Sequence, residues 1–268
     1  MTDQHTLVAQ NISLGYGERP VIENMTLDIP PGKITSIIGP NGCGKSTLLR
    51  ALSRLLKTES GDVLLDGTPL RSRTPKQLAK VLGLLPQTPI APEGIVVTDL
   101  VGRGRHPHQG IVGRWSRRDY EVVAQSLAST RTDDLAERAV DELSGGQRQR
   151  VWIAMALAQE TDILLLDEPT TFLDLSNQLE ILDLLTDLNA SRGTTIVMVL
   201  HDINLAARYS DYLVALKNGA IKHQGRPEDV ITPENLRDVF DIRCQVHPDP
   251  VSGSPLVMPI GRHHTKER

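Results

Sequence analysis

The sequence predicts an α/β protein whose mainly parallel sheet is covered by helices and interrupted by an inserted helical lobe. Three observations predict it. Apolar, β-rich runs alternate with helix-like runs along the 268 residues. Ile163–Leu166 and Thr195–Leu200 are short and almost continuously apolar, as strands buried on both faces are. A glycine-rich loop, Gly39–Gly44, joins a strand-like Lys33–Ile38 to a helix-like Lys45–Leu56.

The remaining elements follow in order. Leu7–Leu14, Met25–Ile29 and Gly61–Leu65 read as short strands near the N-terminus. Residues 89–142 differ: Pro89, Pro92, Pro107 and the cationic run Arg114–Arg118 precede a largely helical stretch, and this is the inserted lobe. Gln178–Leu188 has apolar residues at 179, 181, 182, 184, 185 and 188, a helical spacing that faces a core. The expected organisation is one main domain over residues 5–225, a lobe at about 89–160 within it, and a short appendage over 226–268.

Composition removes several classes. Lys plus Arg number 29 against 33 Asp plus Glu, a net charge of −4, which argues against a broad nucleic-acid-binding surface. No apolar run approaches the roughly 20 residues that cross a bilayer. The start, Met1 to His5, lacks the basic-then-apolar pattern of a signal peptide. Two distant cysteines, Cys43 and Cys244, fit a reducing compartment. No repeat or low-complexity tract is visible. A cytoplasmic protein is expected.

Three motifs carry chemistry. Gly39-Pro40-Asn41-Gly42-Cys43-Gly44-Lys45-Ser46-Thr47 fits G-x-x-x-x-G-K-[ST] in its required strand–loop–helix setting. The glycines let backbone N–H groups curl around phosphate oxygens, and the following helix N-terminus adds partial positive charge. Lys45 is expected on the β- and γ-phosphates of a nucleotide, and the Ser46 hydroxyl on Mg²⁺. The buried strand ending in Asp167 and Glu168 puts two carboxylates where parallel sheets bind ligands. Asp167 is expected to hold Mg²⁺ and Glu168 to take a proton from the attacking water. Leu143-Ser144-Gly145-Gly146-Gln147 precedes a helix expected over Arg148–Glu160 and forms a second anion-cradling loop, although Ser144 also reads as an ordinary helix N-cap. One ATP does not need two such loops, so each can serve a different subunit's nucleotide.

With these motifs in order, the chain resembles the ATP-binding cassette ATPases over nearly its whole length. The resemblance adds Gln87 after the apolar run Val81–Leu85, Asp174 closing Thr171-Phe172-Leu173-Asp174, and His201 after the strand 195–200. It implies a P-loop NTPase core with a mainly parallel sheet, an N-terminal antiparallel β subdomain and an inserted helical lobe. It also implies head-to-tail pairing of two copies, with each ATP between one copy's phosphate loop and the other's signature loop, Ser144 to Gln147. By the same resemblance Gln87 senses the γ-phosphate and Mg²⁺ and links the site to a membrane partner, His201 contacts the γ-phosphate, Asp174 communicates across the dimer, and Tyr16 stacks on adenine.

Narrower segments resemble the ATPases of ferric-siderophore importers of the ferric-enterobactin type: Leu85-Pro86-Gln87, Val97–Val101, Gly102–His108, Thr170–Ser176, His201–Tyr209 and Asp249–Pro255. That resemblance implies an ATP-hydrolysing subunit, at the cytoplasmic face of the membrane, that drives a separate integral-membrane permease fed by a substrate-binding protein. Haem and cobalamin importers share much of the pattern and stand as the alternative. A soluble cassette ATPase of translation or DNA repair is disfavoured: there is one phosphate loop, one signature and no CxxC. His106 and His108 lack a third ligand and read as a loop contact with the permease rather than a metal site. Arg114–Arg118 reads as a solvated cationic face, and His263 and His264 as a frayed tail. Cys43, beside a helix N-terminus and Lys45, is expected to be a reactive thiolate that nucleotide protects.

Overall fold

The computed structural model describes residues 4–17, 19–110, 114–171 and 173–263; of the residues singled out above, Met1 to Asp3, Phe172 and His264 lie outside them. The chain divides into two compact units, one of residues 1–5 and 70–196, the other of residues 6–69 and 197–268, with the division inside the strand Thr195–Val199.

The second of these holds the N-terminal strands. Leu7–Tyr16 pairs antiparallel with Arg19–Ile29 in a register that sets Leu7 opposite Ile29 and Leu14 opposite Ile22. Its other edge pairs antiparallel with Ser60–Leu65. Leu7, Ala9, Ile12 and Leu14 are buried, so one face of this sheet is core. The strand preceding the glycine loop, Ile34–Ile38, is buried at all five positions and runs parallel to Tyr212–Lys217. That strand turns antiparallel into Ala220–Gly225. The helix after the loop covers Lys45–Leu52, a turn shorter than the apolar pattern suggests. Arg54 takes a left-handed φ of 62°, which ends the helix and turns Leu55 out to solvent. The stretch after 226 contains two short helices and a hairpin, Cys244–Pro248 with Pro255–Pro259. Asn204 fastens the hairpin by bonding the Val257 backbone at both ends, Nδ2 to O at 3.3 Å and N to Oδ1 at 2.7 Å.

In the other unit, Leu82–Leu85 and Ile163–Asp167 run parallel, and Thr195 N–H bonds the Asp162 carbonyl at the next strand's start. The described residues of the stretch 89–142 include the helices Val97–Gly102 and Arg117–Ser129, with 3₁₀ turns between and after them. The helix expected at Arg148–Glu160 instead spans Gly145–Ala158, so Gly145, Gly146 and Gln147 are its first turn and not a loop before it. The helix expected at Gln178–Leu188 extends over Leu175–Arg192, started by Asp174 and stopped by Gly193 at φ 69°.

The cationic segment is paired as well as exposed. Arg117 meets Glu121 at 3.0 Å and Arg118 meets Glu160 at 2.6 Å. Deeper in, Arg105 is buried, with Nε on Asp119 at 2.9 Å and Nη1 on Glu160 at 2.9 Å and the Ala158 carbonyl at 2.7 Å. Burial opposes the charge on Asp119, yet the hydrogen bonds from Arg105 and Ser116 outweigh it and hold the carboxyl at about 2. His108 places Nε2 2.7 Å from the Gln159 carbonyl.

Candidate nucleotide site

The phosphate loop is shaped by its glycines. Gly39 has a φ of 152° and lies so close to the Leu216 backbone that a Cβ there would stand 2.3 Å from its carbonyl oxygen. Gly42 and Gly44 take φ of 76° and 104°, conformations that other residues adopt at a cost. The loop is tied to its unit by the Gly219 N–H on the Cys43 carbonyl, 3.0 Å. Lys45 is buried and folds back over the loop, its Nζ 2.9 Å from the Gly39 carbonyl and 3.0 Å from that of Pro40. An ammonium is thereby held within a curl of backbone, positioned for an anion. In the same unit, Tyr16 is exposed, with its hydroxyl 3.5 Å from Arg50 Nη1, and His201 follows the strand Thr195–Val199 at an exposed position. Cys43 is a correction to the sequence reading. It is buried, and burial pushes its thiol up despite the opposing pull of Lys45 and of the Lys45 N–H, so it is not a ready thiolate.

The other unit carries the carboxylates. Asp167 is the last, buried residue of its strand, and Glu168 follows at a left-handed φ of 56°, 9% exposed. Two donors meet on Glu168 Oε2: Gln87 Nε2 at 2.7 Å and Thr171 Oγ1 at 3.0 Å. Gln87 comes from just beyond the strand Leu82–Leu85, so parallel pairing of that strand with Ile163–Asp167 brings it to Glu168. Two further glutamines hold the loop after Glu168. Gln149 Nε2 bonds the Pro169 carbonyl at 2.8 Å, and Gln178 Nε2 bonds those of Thr170 and Leu173 at 3.3 and 3.2 Å. Asp174 caps the next helix, accepting from the Asn177 N–H at 2.8 Å. Ser144 caps the signature helix in a reciprocal box with Gln147, at 3.3 and 3.1 Å. Ser144 and Gly145 are exposed, while Gly146 faces Leu173 and Asn177.

Sequence reading thus named Gln87 and Glu168, which the fold brings into contact. It missed Thr171, Gln149 and Gln178. Gln149 and Gln178 act on loop backbone and Thr171 on the Glu168 carboxylate, contacts that leave no periodicity; only the Thr171 position, three residues past Glu168, is a local signal.

A phosphate loop on a buried parallel strand, with a carboxylate pair ending another, defines a nucleotide-binding α/β protein. The profile of the ABC transporter family matches residues 22–171. The chain is 50% identical, over 96% of its length and 94% of the relative's, to the ferric enterobactin transport ATP-binding protein FepC of Escherichia coli (strain K12). It is 52% identical to the petrobactin import ATP-binding protein FpuD of Bacillus anthracis, covering 97% of this chain and 95% of that one. Its fold matches the dimeric, post-hydrolysis structure of the ATP-binding cassette MJ0796 bound to ADP and Pi, with a TM-score of 0.73, 30% identity, and coverage of 82% of this chain and 98% of that one. The chain belongs to the ABC transporter family and is an ATP-binding cassette with ATPase activity. Among its described residues no helix is long and apolar enough to cross a membrane.

Proposed function

We propose that this ATPase powers import of an iron–siderophore complex through a separate integral-membrane permease. The 50% identity with FepC over 96% of the chain is the observation that carries the cargo class. The chain works at the cytoplasmic face of the membrane, held there by the permease, and a substrate-binding protein delivers cargo on the other side. His106 and His108 belong to the loop that meets the permease.

In the proposed mechanism the Gly39–Thr47 loop wraps the phosphates with backbone N–H groups, and Lys45 moves from the Gly39 and Pro40 carbonyls to the β- and γ-phosphates. Tyr16 stacks on adenine. Ser46, Asp167 and Gln87 would hold Mg²⁺. Hydroxyl, carboxylate and amide oxygens suit a hard cation, and Gln87, with its nitrogen on Glu168, keeps its carbonyl oxygen for one. Bound there, it would neutralise charge at the phosphate oxygens. Glu168 accepts the proton of the attacking water, and His201 orients the γ-phosphate end of the site. A second copy, packed head to tail, contributes Ser144, Gly145, Gly146 and Gln147, with Asp174 relaying between the copies.

Uptake of ferric siderophore by cells lacking the chain tests the cargo. The parental chain restores uptake, whereas Lys45→Ala fails through lost ATP affinity. Glu168→Gln fails with ATP still bound, its hydrolysis down about 10²–10⁴-fold. Uptake that persists without the chain overturns the cargo assignment; parental hydrolysis by Glu168→Gln overturns the role of Glu168.

A further inference from the structure

Glu168 stands in a backbone conformation that a glutamate adopts only under constraint, φ 56°. Its carboxylate must also be aimed, because a general base works only when an oxygen lies within hydrogen-bond reach of the proton it takes. A glutamate side chain has three rotatable bonds, and burial alone does not set the last one. Two donors on Oε2 do. Gln87 Nε2 arrives from a different strand, and Thr171 Oγ1 from the turn that begins at Glu168 itself. That turn is closed by the Thr171 N–H on the Glu168 carbonyl, 3.2 Å, so backbone and side chain of Thr171 both return to Glu168. Gln178 anchors the chain on either side of Thr171, at the Thr170 and Leu173 carbonyls, and Gln149 anchors it earlier at Pro169. The Thr171 hydroxyl is therefore a fixed donor on a braced loop.

We propose that Thr171 is a positioning residue for hydrolysis, holding the Glu168 carboxylate through its hydroxyl; this rests on the reading of Glu168 as the base. Gln87 is in addition assigned to Mg²⁺ through its carbonyl oxygen, so aiming Glu168 independently of the cation needs a second donor. A hydroxyl three residues on, in the same turn, meets that need.

The test uses the full-length chain within its intact transport complex, with Thr171→Val and Thr171→Ser. Valine keeps the β-branched shape and removes the donor; serine keeps the donor. Thr171→Val is expected to lower kcat about 10-fold, the effect of one hydrogen bond to a charged group, with KM for Mg-ATP and thermal midpoint close to parental. Thr171→Ser is expected to recover kcat to within about twofold. Parental kcat in Thr171→Val, a loss expressed mainly in KM, or a serine variant as slow as the valine variant would each overturn the proposal. Glu168→Gln run alongside separates the two readings. If it hydrolyses at the parental rate, the base assignment fails first. If it is inactive while Thr171→Val is parental, only the role of Thr171 falls.

Discussion

Arg105 shows how much a single residue's surroundings decide. Within the segment Gly102 to His108, Arg105 is 3% exposed and its guanidinium is shared among Asp119, Glu160 and the Ala158 carbonyl. A buried cation left with fewer partners costs several kcal/mol. Asp119 also closes the N-cap box of the helix Arg117–Ser129, with Oδ2 2.8 Å from the Ser116 N–H. Asp119→Ala is therefore expected to destabilise the chain by about 3 kcal/mol, read as a lowered urea midpoint. The folded pKa of about 2 lies below the ordinary 3.8, so the stabilisation is present above that value and fades as pH falls toward about 2. The gap between parent and variant should narrow over that window; a gap constant down to pH 2 would contradict the pairing. Cys43 carries the opposite lesson. Its burial outweighs Lys45, so maleimide should label it at least about 10-fold more slowly at neutral pH than an unfolded-state thiol, and faster as pH rises. Rapid neutral-pH labelling of Cys43 in the folded chain, located by mass spectrometry, would contradict this.

At the scale of elements, what the sequence made legible was whatever local chemistry repeats. The strand Ile34–Ile38, its loop and the helix start at Lys45 follow from one contiguous motif, and Ile163–Asp167 from an apolar run. Element ends were less legible. Leu55 and Leu56 extend the apolar pattern beyond Leu52, but the left-handed Arg54 breaks the helix first. Gly145 and Gly146 read as loop because each glycine costs a helix about 1 kcal/mol relative to alanine. The Ser144–Gln147 box starts the helix there regardless, and Ser-x-x-Gln was the available signal. The candidate site was legible as residue types, Gln87, Asp167 and Glu168 included. Its bracing was not: Gln149 and Gln178 reach loop carbonyls, contacts that any glutamine could make and that only folding selects.

At the scale of the whole molecule, the proposed assembly makes the signature turn act on a neighbouring copy's nucleotide, and the geometry of Gly145 allows a clean test. Ser144→Arg would remove a helix cap, so any loss of activity would be mixed with a loss of stability of about 1 kcal/mol. Gly145 has no such complication. Its φ is not left-handed, it is exposed, and a Cβ added there meets nothing within 4 Å. As the first residue of the helix Gly145–Ala158 it is also a favourable place for a carboxylate, because the helix N-terminus carries partial positive charge. Gly145→Asp should therefore fold as well as the parent or slightly better. In a head-to-tail pair the same carboxylate would meet the γ-phosphate of the other copy's ATP inside a closed interface, where like charges cost several kcal/mol. The expected outcome is an unchanged thermal midpoint, unchanged ATP affinity of the single chain, no ATP-driven dimer in size-exclusion chromatography of the Glu168→Gln background, and hydrolysis lost. A variant that lost ATP affinity as a monomer would place the signature turn on its own chain's nucleotide. A variant that still dimerised and hydrolysed ATP would take that turn away from the phosphates altogether.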